Sequence, residues 1–248
     1  MRIGILHIGD ELLTGNIDPY PGQIIALIRQ KGANLDLLEV LGDREEDIVR
    51  GLEHAASLGI DILVITGGLG PTLDDLTREA VARYLGVELV VDPAAAAELE
   101  AWVNRRHGRN DALSEITLRM ARVPRGHLAL RNITGAACGV EARKGAMTMF
   151  LLPGFPNEMV PMFEEHVLPR IAGNGEVELE LRVWRGESIL EPLFREVAAS
   201  HRVRIASLPS TRWKEDGNRV IFKGRREEAE AAQQQFVALM SRLPPGDH

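Results

Sequence analysis

The chain has a single cysteine, Cys138, among its 248 residues. One thiol excludes an intramolecular disulfide and any zinc site built on cysteines. Long apolar runs are missing too. No segment approaches the roughly 18 apolar residues of a membrane span, and the opening MRIGILHIGDELL meets acid too early for the apolar stretch of a signal peptide. A cytoplasmic location with no membrane partner is therefore expected. Clustered positive charge is also lacking: a formal net charge of −7 argues against nucleic-acid binding, which depends on grouped Lys and Arg displacing counterions from phosphates. The seven histidines are dispersed without ligand spacing, and there is no Gly-x-Ser-x-Gly elbow, so neither a zinc site nor a serine nucleophile is indicated. Hydrophobic residues at 45% and charged residues at 26% are ordinary for a globular fold.

What the chain does have is alternation. RIGILHI, NLDLLEVL and IDILVIT read as strands, and GQIIALIRQKG, REEDIVRGLEHAASLG and LTREAVARYLG as amphipathic helices. That order predicts right-handed βαβ units in a parallel sheet. Gly32, Gly59 and Gly86 fall just past the apolar faces, where a left-handed residue ends a helix at least cost. Ile48, Leu52 and Ala55 in one helix, and Leu76, Ala80 and Tyr84 in the next, recur at helical spacing and are expected in the core. Pro93 suits the first position of a helix, ALSEITLRMARV gives another helical pattern, and strands near 137–142 and 146–152 share the turn RKGA. The fold class is α/β: a doubly wound, mostly parallel sheet with helices on both faces, plus a small α/β (βαββα) carboxy-terminal domain. The turn at 173–175 divides residues 1–172 from a KH-like unit at 176–248.

In such a sheet, ligands bind outside the carboxyl ends of the strands. Three loops after predicted strands combine glycine with acid: IGDELLTG with Asp10 and Glu11, TGGLGPTLDD with Asp74 and Asp75, and LPGFPNE with Gly154 and Glu158. Asp43 follows the second strand and would lie at the same edge. Gly67, Gly68 and Gly70 leave no side chain between backbone amides and an anion, and Pro71 and Thr72 resemble a helix start. The loop is neither a P-loop nor a dinucleotide fingerprint, since no Lys-Ser/Thr follows and Leu73 stands where a third glycine belongs. Two ionised carboxylates would repel phosphate unless a hard cation such as Mg²⁺ lay between them. The competing reading is structural: Thr72 with Asp75 forms a capping box, Asp43 is a helix N-cap, Glu158 is a favourable charge at a helix N-terminus, and Glu11 is a solvated loop carboxylate.

GDELLTG, LVITGGLGPTLDDLTREAVARYLG and LLPGFPNEMVPMFEEHVLPRI resemble the amino-terminal domain of CinA, the competence/damage-inducible protein, within the molybdopterin-binding MoaB/MogA superfamily. The resemblance covers about residues 1–170, and the tail is similar to the small domain that follows in CinA. The nicotinamide-nucleotide amidase domain of full CinA proteins is expected to be missing. The resemblance implies a site for a phosphorylated ligand: molybdopterin or its adenylated form in MoaB and MogA, ADP-ribose-like dinucleotides hydrolysed with divalent metal in CinA-type domains. It implies roles for Asp43 and Asp75 as functional acids, for Glu11 in the Gly-x-Glu-Leu motif, and for Gly154 and Glu158 in Pro-Gly-x-Pro-x-Glu-Met. Departures occur at Pro19-Tyr20-Pro21-Gly22, at Thr117 and Met120 in place of Asn and Gln, and at Gly135-Ala136-Ala137-Cys138-Gly139 in place of Gly-Thr-Ala-Pro-Gly.

The functional expectation is a divalent-metal-dependent pyrophosphohydrolase of ADP-ribose-like nucleotides. Asp43 and Asp75 are its catalytic candidates. Asp74, Asp75 and Glu11 would hold metal, Gly67, Gly68, Gly70, Thr72 and Gly154 would hold phosphate, and Asp10, Glu158 and Gly135 would complete the site. The alternative is a non-catalytic module for molybdopterin or a nucleotide. A homo-oligomer is expected.

Overall fold

The computed structural model describes residues 1–16, 21–107, 113–173 and 175–244. Pro19 and Tyr20, two of the departing positions, lie outside the described residues. The chain forms two compact units, Met1–Ala172 and Gly173–His248.

The first unit is built in the order β1 (Ile3–Ile8), α1 (Asp10–Leu13), α2 (Gly22–Gln30), β2 (Leu35–Leu41), α3 (Glu45–Ser57), β3 (Ile62–Thr66), α4 (Thr77–Leu85), β4 (Leu89–Val91) and α5 (Pro93–His107). It continues with α6 (Glu115–Leu118), β5 (Arg122–Pro124), β6 (Leu128–Leu130), β7 (Gly139–Lys144), β8 (Met147–Leu152) and α7 (Pro156–Met162). Its six-stranded sheet has the order β2-β1-β3-β8-β7-β6. The first four are mutually parallel, whereas β7 runs antiparallel to both β8 and β6. The sheet is thus mostly parallel, and its interior strands are buried on both faces. Alternate residues divide between two cores. Leu6, Ile8, Leu63, Ile65, Met149 and Leu151 join one cluster with Ile48 and Leu52 of α3 and Ala80 of α4. Ile3, Ile5, Ile62, Val64, Phe150 and Leu152 join the other with Ile24 and Ile28 of α2 and Met159 and Met162 of α7. Gly32, Gly59 and Gly86 end their helices at φ 68°, 69° and 76°, as the stop pattern requires.

Two local expectations are corrected. The helix after the glycine loop starts at Thr77, with Leu76 as its N-cap, so Pro71 and Thr72 do not open it. The helical pattern ALSEITLRMARV does not continue to its end: Arg122 and Val123 belong to the short strand β5, and three-residue strands such as β4, β5 and β6 carry no legible alternation.

The second unit runs β9 (Glu176–Val183), α8 (Glu187–Ser200), β10 (Arg204–Leu208), α9 (Trp213–Asp216), β11 (Asn218–Arg225) and α10 (Arg226–Met240). Its antiparallel sheet, β10-β11-β9, packs Val220 and Phe222 against Leu190 and Val197 of α8 and Phe236 of α10. Arg219–Glu180, Lys223–Glu178 and Arg204–Glu176 pairs cross between its strands.

Candidate functional site at the carboxyl edge of the sheet

Strand order reverses at β1 and β3, because the chain steps outward from β1 to β2 and then returns past β1 to β3. In open α/β sheets the crevice at such a reversal is the usual ligand site. His7 lies opposite Thr66, and Thr66 opposite Leu152, so Gly9, Gly67 and Pro153 begin three adjacent loops. The amide of Gly9 donates to Leu41 O at 3.0 Å and that of Gly67 to Leu152 O at 3.1 Å. A further loop, 131–138, opens at the same edge, since β6 and β8 are each antiparallel to β7. Close approach explains the glycines. A Cβ on Gly67, whose φ is 93°, would collide with the Ile8 carbonyl oxygen, and one on Gly154 would lie 3.4 Å from the Gly67 Cα.

Asp75 is tied into its own loop. Its Oδ1 accepts from the Gly70 amide at 2.8 Å; its Oδ2 accepts from the Thr72 amide at 2.9 Å and from the Thr72 hydroxyl. Gly70 is small because a Cβ there would meet this carboxylate. Gly70 and Thr72 therefore spend their amides on Asp75, and Gly67 spends its own on β8. Among the described residues, the amides of Gly68, Leu69 and Gly154 donate to no protein acceptor. Those three are among the donors left for an anion.

Two arginines that the sequence reading passed over fasten the same loop. Arg78 is 3% exposed and donates to Leu69 O at 2.7 Å, Cys138 O at 2.6 Å and Met120 O at 3.1 Å. Burial pushes its guanidinium below the usual range. Arg119 donates to Thr72 O at 2.7 Å, to Pro71 O and Asp75 O at 3.2 Å each, and pairs with Glu79 at 3.2 Å. The available signal was an arginine inside an apolar helical stripe. Thr77 Oγ1 adds a bond to Gly67 O at 2.8 Å.

The loops after β1 and β2 carry acids at the same edge. Asp10 and Asp43 each accept from the other's amide, at 3.2 Å and 2.8 Å. Burial, together with repulsion from Asp10, Glu11 and Asp74, raises the Asp43 carboxyl above the ordinary aspartate range, against the lowering effect of the Asp10 amide. Glu11 and Asp74 are exposed, and hydrogen bonding within its own loop holds Asp74 below its usual value. Among the described residues no three His, Cys, Asp or Glu side chains are arranged to hold a metal ion. Asp75, of the three expected metal acids Glu11, Asp74 and Asp75, is hydrogen-bonded within its own loop.

Glu158, in the first turn of α7, accepts from Asn132 Nδ2 at 2.8 Å. Asn132 also donates to Ala137 O at 3.0 Å and accepts from the Gly135 amide at 2.9 Å. A side chain at Gly135 would strike Glu158. Asn132 is thus an organiser of the 131–138 loop that sequence reasoning missed. Two departing residues prove structural: Thr117 bonds Ser114, the N-cap of α6, and Met120 packs against the core of the first unit. Cys138 is buried, which raises its thiol. His7 is 7% exposed, bonds Thr66 Oγ1 through Nδ1, and is held by burial below the ordinary histidine range. No helix among the described residues is long and apolar enough to cross a membrane.

Residues 4–173 match the family described as a probable molybdopterin binding domain. Protein PF0476 of Pyrococcus furiosus is 37% identical over 211 residues, covering 83% of this chain and 84% of its own. A CinA-like protein of Myxococcus xanthus is 39% identical over 173 residues, 69% of this chain and 40% of that protein. A putative competence-damage inducible protein of Caldicellulosiruptor bescii is 36% identical over 79% of this chain and 48% of its own. The chain spans most of the archaeal relative but under half of the two bacterial ones. Among solved structures, the protein CinA of unknown function from Thermoplasma acidophilum matches with a TM-score of 0.60 and 27% identity, covering 68% of this chain and 98% of that one. The chain belongs to the family of probable molybdopterin binding domains and, within it, is CinA-like.

Proposed function

We propose that the carboxyl edge of the first unit binds the pyrophosphate of an ADP-ribose-like nucleotide and hydrolyses it. The observation that carries this reading is a braced loop, with the Gly68, Leu69 and Gly154 amides left over, at the same sheet edge as the acids of the loops after β1 and β2. Backbone donors fixed before the ligand arrives stabilise charge on phosphoryl oxygens without reorganising. Asp43 would orient the attacking water and accept its proton, a task suited to a carboxyl whose affinity for protons has been raised. The P–O–P bond then breaks, and AMP leaves with ribose 5-phosphate. Glu11 and Asp74, rather than a closed triad, are the carboxylates free to hold Mg²⁺ together with phosphate oxygens, which matches the ion's habit of taking one or two carboxylates and keeping water. When bound, the ion would neutralise phosphate charge.

The test is Mg²⁺-dependent release of AMP from ADP-ribose by the full chain. Asp43→Asn is expected to lower turnover by about 10²- to 10⁴-fold without lowering the melting temperature. A second reading, binding of a phosphorylated pterin or nucleotide without turnover, is favoured by the complete engagement of Asp75. Tight binding of ADP-ribose with no AMP released would decide for it.

A further inference from the structure

The six-stranded sheet has two edges, β6 and β2. β6 is three residues long, and so short an edge offers little to pair with. β2 has seven residues, LDLLEVL, with neither lysine nor proline to deter another strand. Among the described residues only β1 pairs with it. Its open groups can be identified. The Gly9 amide donates to Leu41 O, which turns Leu41 toward β1; alternate residues of an extended strand bond to opposite sides, so Val40 and Leu38 turn amide and carbonyl outward. Asp36 is skipped where the β1 register shifts from Leu35 to Leu37. The outward set is thus Asp36, Leu38 and Val40, and Leu38 is 40% exposed. Beside it a groove of about 520 Å³ runs between β2 and α3, lined by Leu13, Leu41, Gly42, Arg50, Gly51 and His54.

Symmetry and charge select what fits this edge. An antiparallel copy of β2 whose two-fold axis passes through Leu38 sets Leu38 against the partner's Leu38, and Val40 against the partner's Asp36. Every outward residue then has a mate, since opposed residues of such a pair exchange both bonds. A slip of two residues either way leaves Val40 or Asp36 without one. Charge favours the same arrangement. Arg50 is 75% exposed and pairs with its helix neighbour Asp47; it lies toward the Leu41 end of the strand, because a Cβ on the adjacent Gly51 would strike Leu41. Asp36 stands at the other end. It pairs at 3.5 Å with Arg2, which also donates to the carbonyl of Leu58, the C-cap of α3, so both groups lie on the α3 side. Within one chain they stay apart. The antiparallel copy brings the partner's Asp36 opposite Val40, one residue from Leu41 and beside Arg50. Glu39, the other acid of the strand, is bonded to His54, so no unpaired like charges meet.

We propose that β2 is a dimer edge: two copies of this chain join antiparallel through Asp36, Leu38 and Val40 into one continuous sheet, with Arg50 of each facing the partner's Asp36. Such an interface is isologous, and association stops at two. Sedimentation equilibrium of the full chain is expected to give twice the mass of one chain. Val40→Pro removes an amide that points away from β1, where an edge strand tolerates proline, and should leave a monomer with unchanged far-ultraviolet circular dichroism; Leu38→Lys, which leaves the backbone alone, should do the same. Arg50→Glu is expected to weaken the dimer by about tenfold. In a Cys138→Ala background, Leu38→Cys should link the two chains by a disulfide under mild oxidation, because residues opposed across such a pair have Cα atoms about 5.5 Å apart, inside the roughly 4.4–6.8 Å range of disulfides. A chain that is monomeric at every concentration overturns the proposal and leaves the edge to a different partner. So does a dimer that survives Leu38→Lys and is not cross-linked through Leu38→Cys, since its interface then lies elsewhere.

Discussion

The glycine loop after β3 and the acid rim formed by the loops after β1 and β2 lie at one edge of the sheet, yet they are built in opposite ways. The glycine loop is over-determined: Asp75 ties it from within, Arg78 from beneath and Arg119 from the side. The acid rim has one reciprocal stitch, Asp10 with Asp43, and leaves Glu11 in water, while Asp74 is the exposed acid of the glycine loop itself. Charge in the loop has been converted into rigidity. In the rim it remains available. The lesson is that neighbouring acids of the same type, Asp74 and Asp75, can divide between chemistry and scaffolding, and that only the hydrogen-bond inventory tells them apart.

The contrast is most severely tested at Arg78. Arg78→Met keeps the volume but strands three buried carbonyls, and urea unfolding should show a loss of about 3–5 kcal/mol. A loss below about 1 kcal/mol would mean that the loop is held by other means. Next comes Asp75→Asn, which keeps one acceptor and turns an amide donor toward a donor of its own loop. A loss of about 1–3 kcal/mol is expected, and an unchanged melting temperature would restore Asp75 to the ligand-binding acids that its position suggested. His7, bonded to Thr66 between the two regions, should have a smaller, pH-dependent effect. Its folded proton affinity is depressed by burial, so the stability tied to its neutral form is present above the ordinary histidine value near 6.5 and is lost as pH falls through the lowered folded value. Melting curves should show the wild type losing more stability than His7→Gln between neutral and mildly acid pH; parallel curves would show that the ring is not desolvated. Smallest of all is Glu11→Gln, exposed at the rim, which should move stability by no more than about 0.5 kcal/mol while weakening Mg²⁺-dependent pyrophosphate binding. If it destabilises as much as Asp75→Asn, the rim is scaffold as well.

Much of the fold was legible in the sequence because its signals are local. Ile48, Leu52 and Ala55 repeat at the helical period and are fully buried. The apolar runs of β1 and β3 announce strands covered on both faces, and Gly32, Gly59 and Gly86 stop helices through their own backbone freedom. The short strands β4 to β6 were illegible for the same reason, since three residues are too few to show a period. At the site, the sequence identified which loops would meet but not how their groups would be spent.

By itself, the sequence determined the alternating α/β order, the division near residue 173 and the glycine-and-acid composition of the edge, all properties of residues close together in the chain. Tertiary structure alone decided that Arg78 would reach Met120 and Cys138, 42 and 60 positions away, that Asn132 would hold Glu158, and that Asp43 would share a charge field with Asp10, Glu11 and Asp74. Hydrogen bonds and charge repulsion act over a few ångströms of space, and a linear order of residues does not carry those distances until the sheet has set its strands side by side.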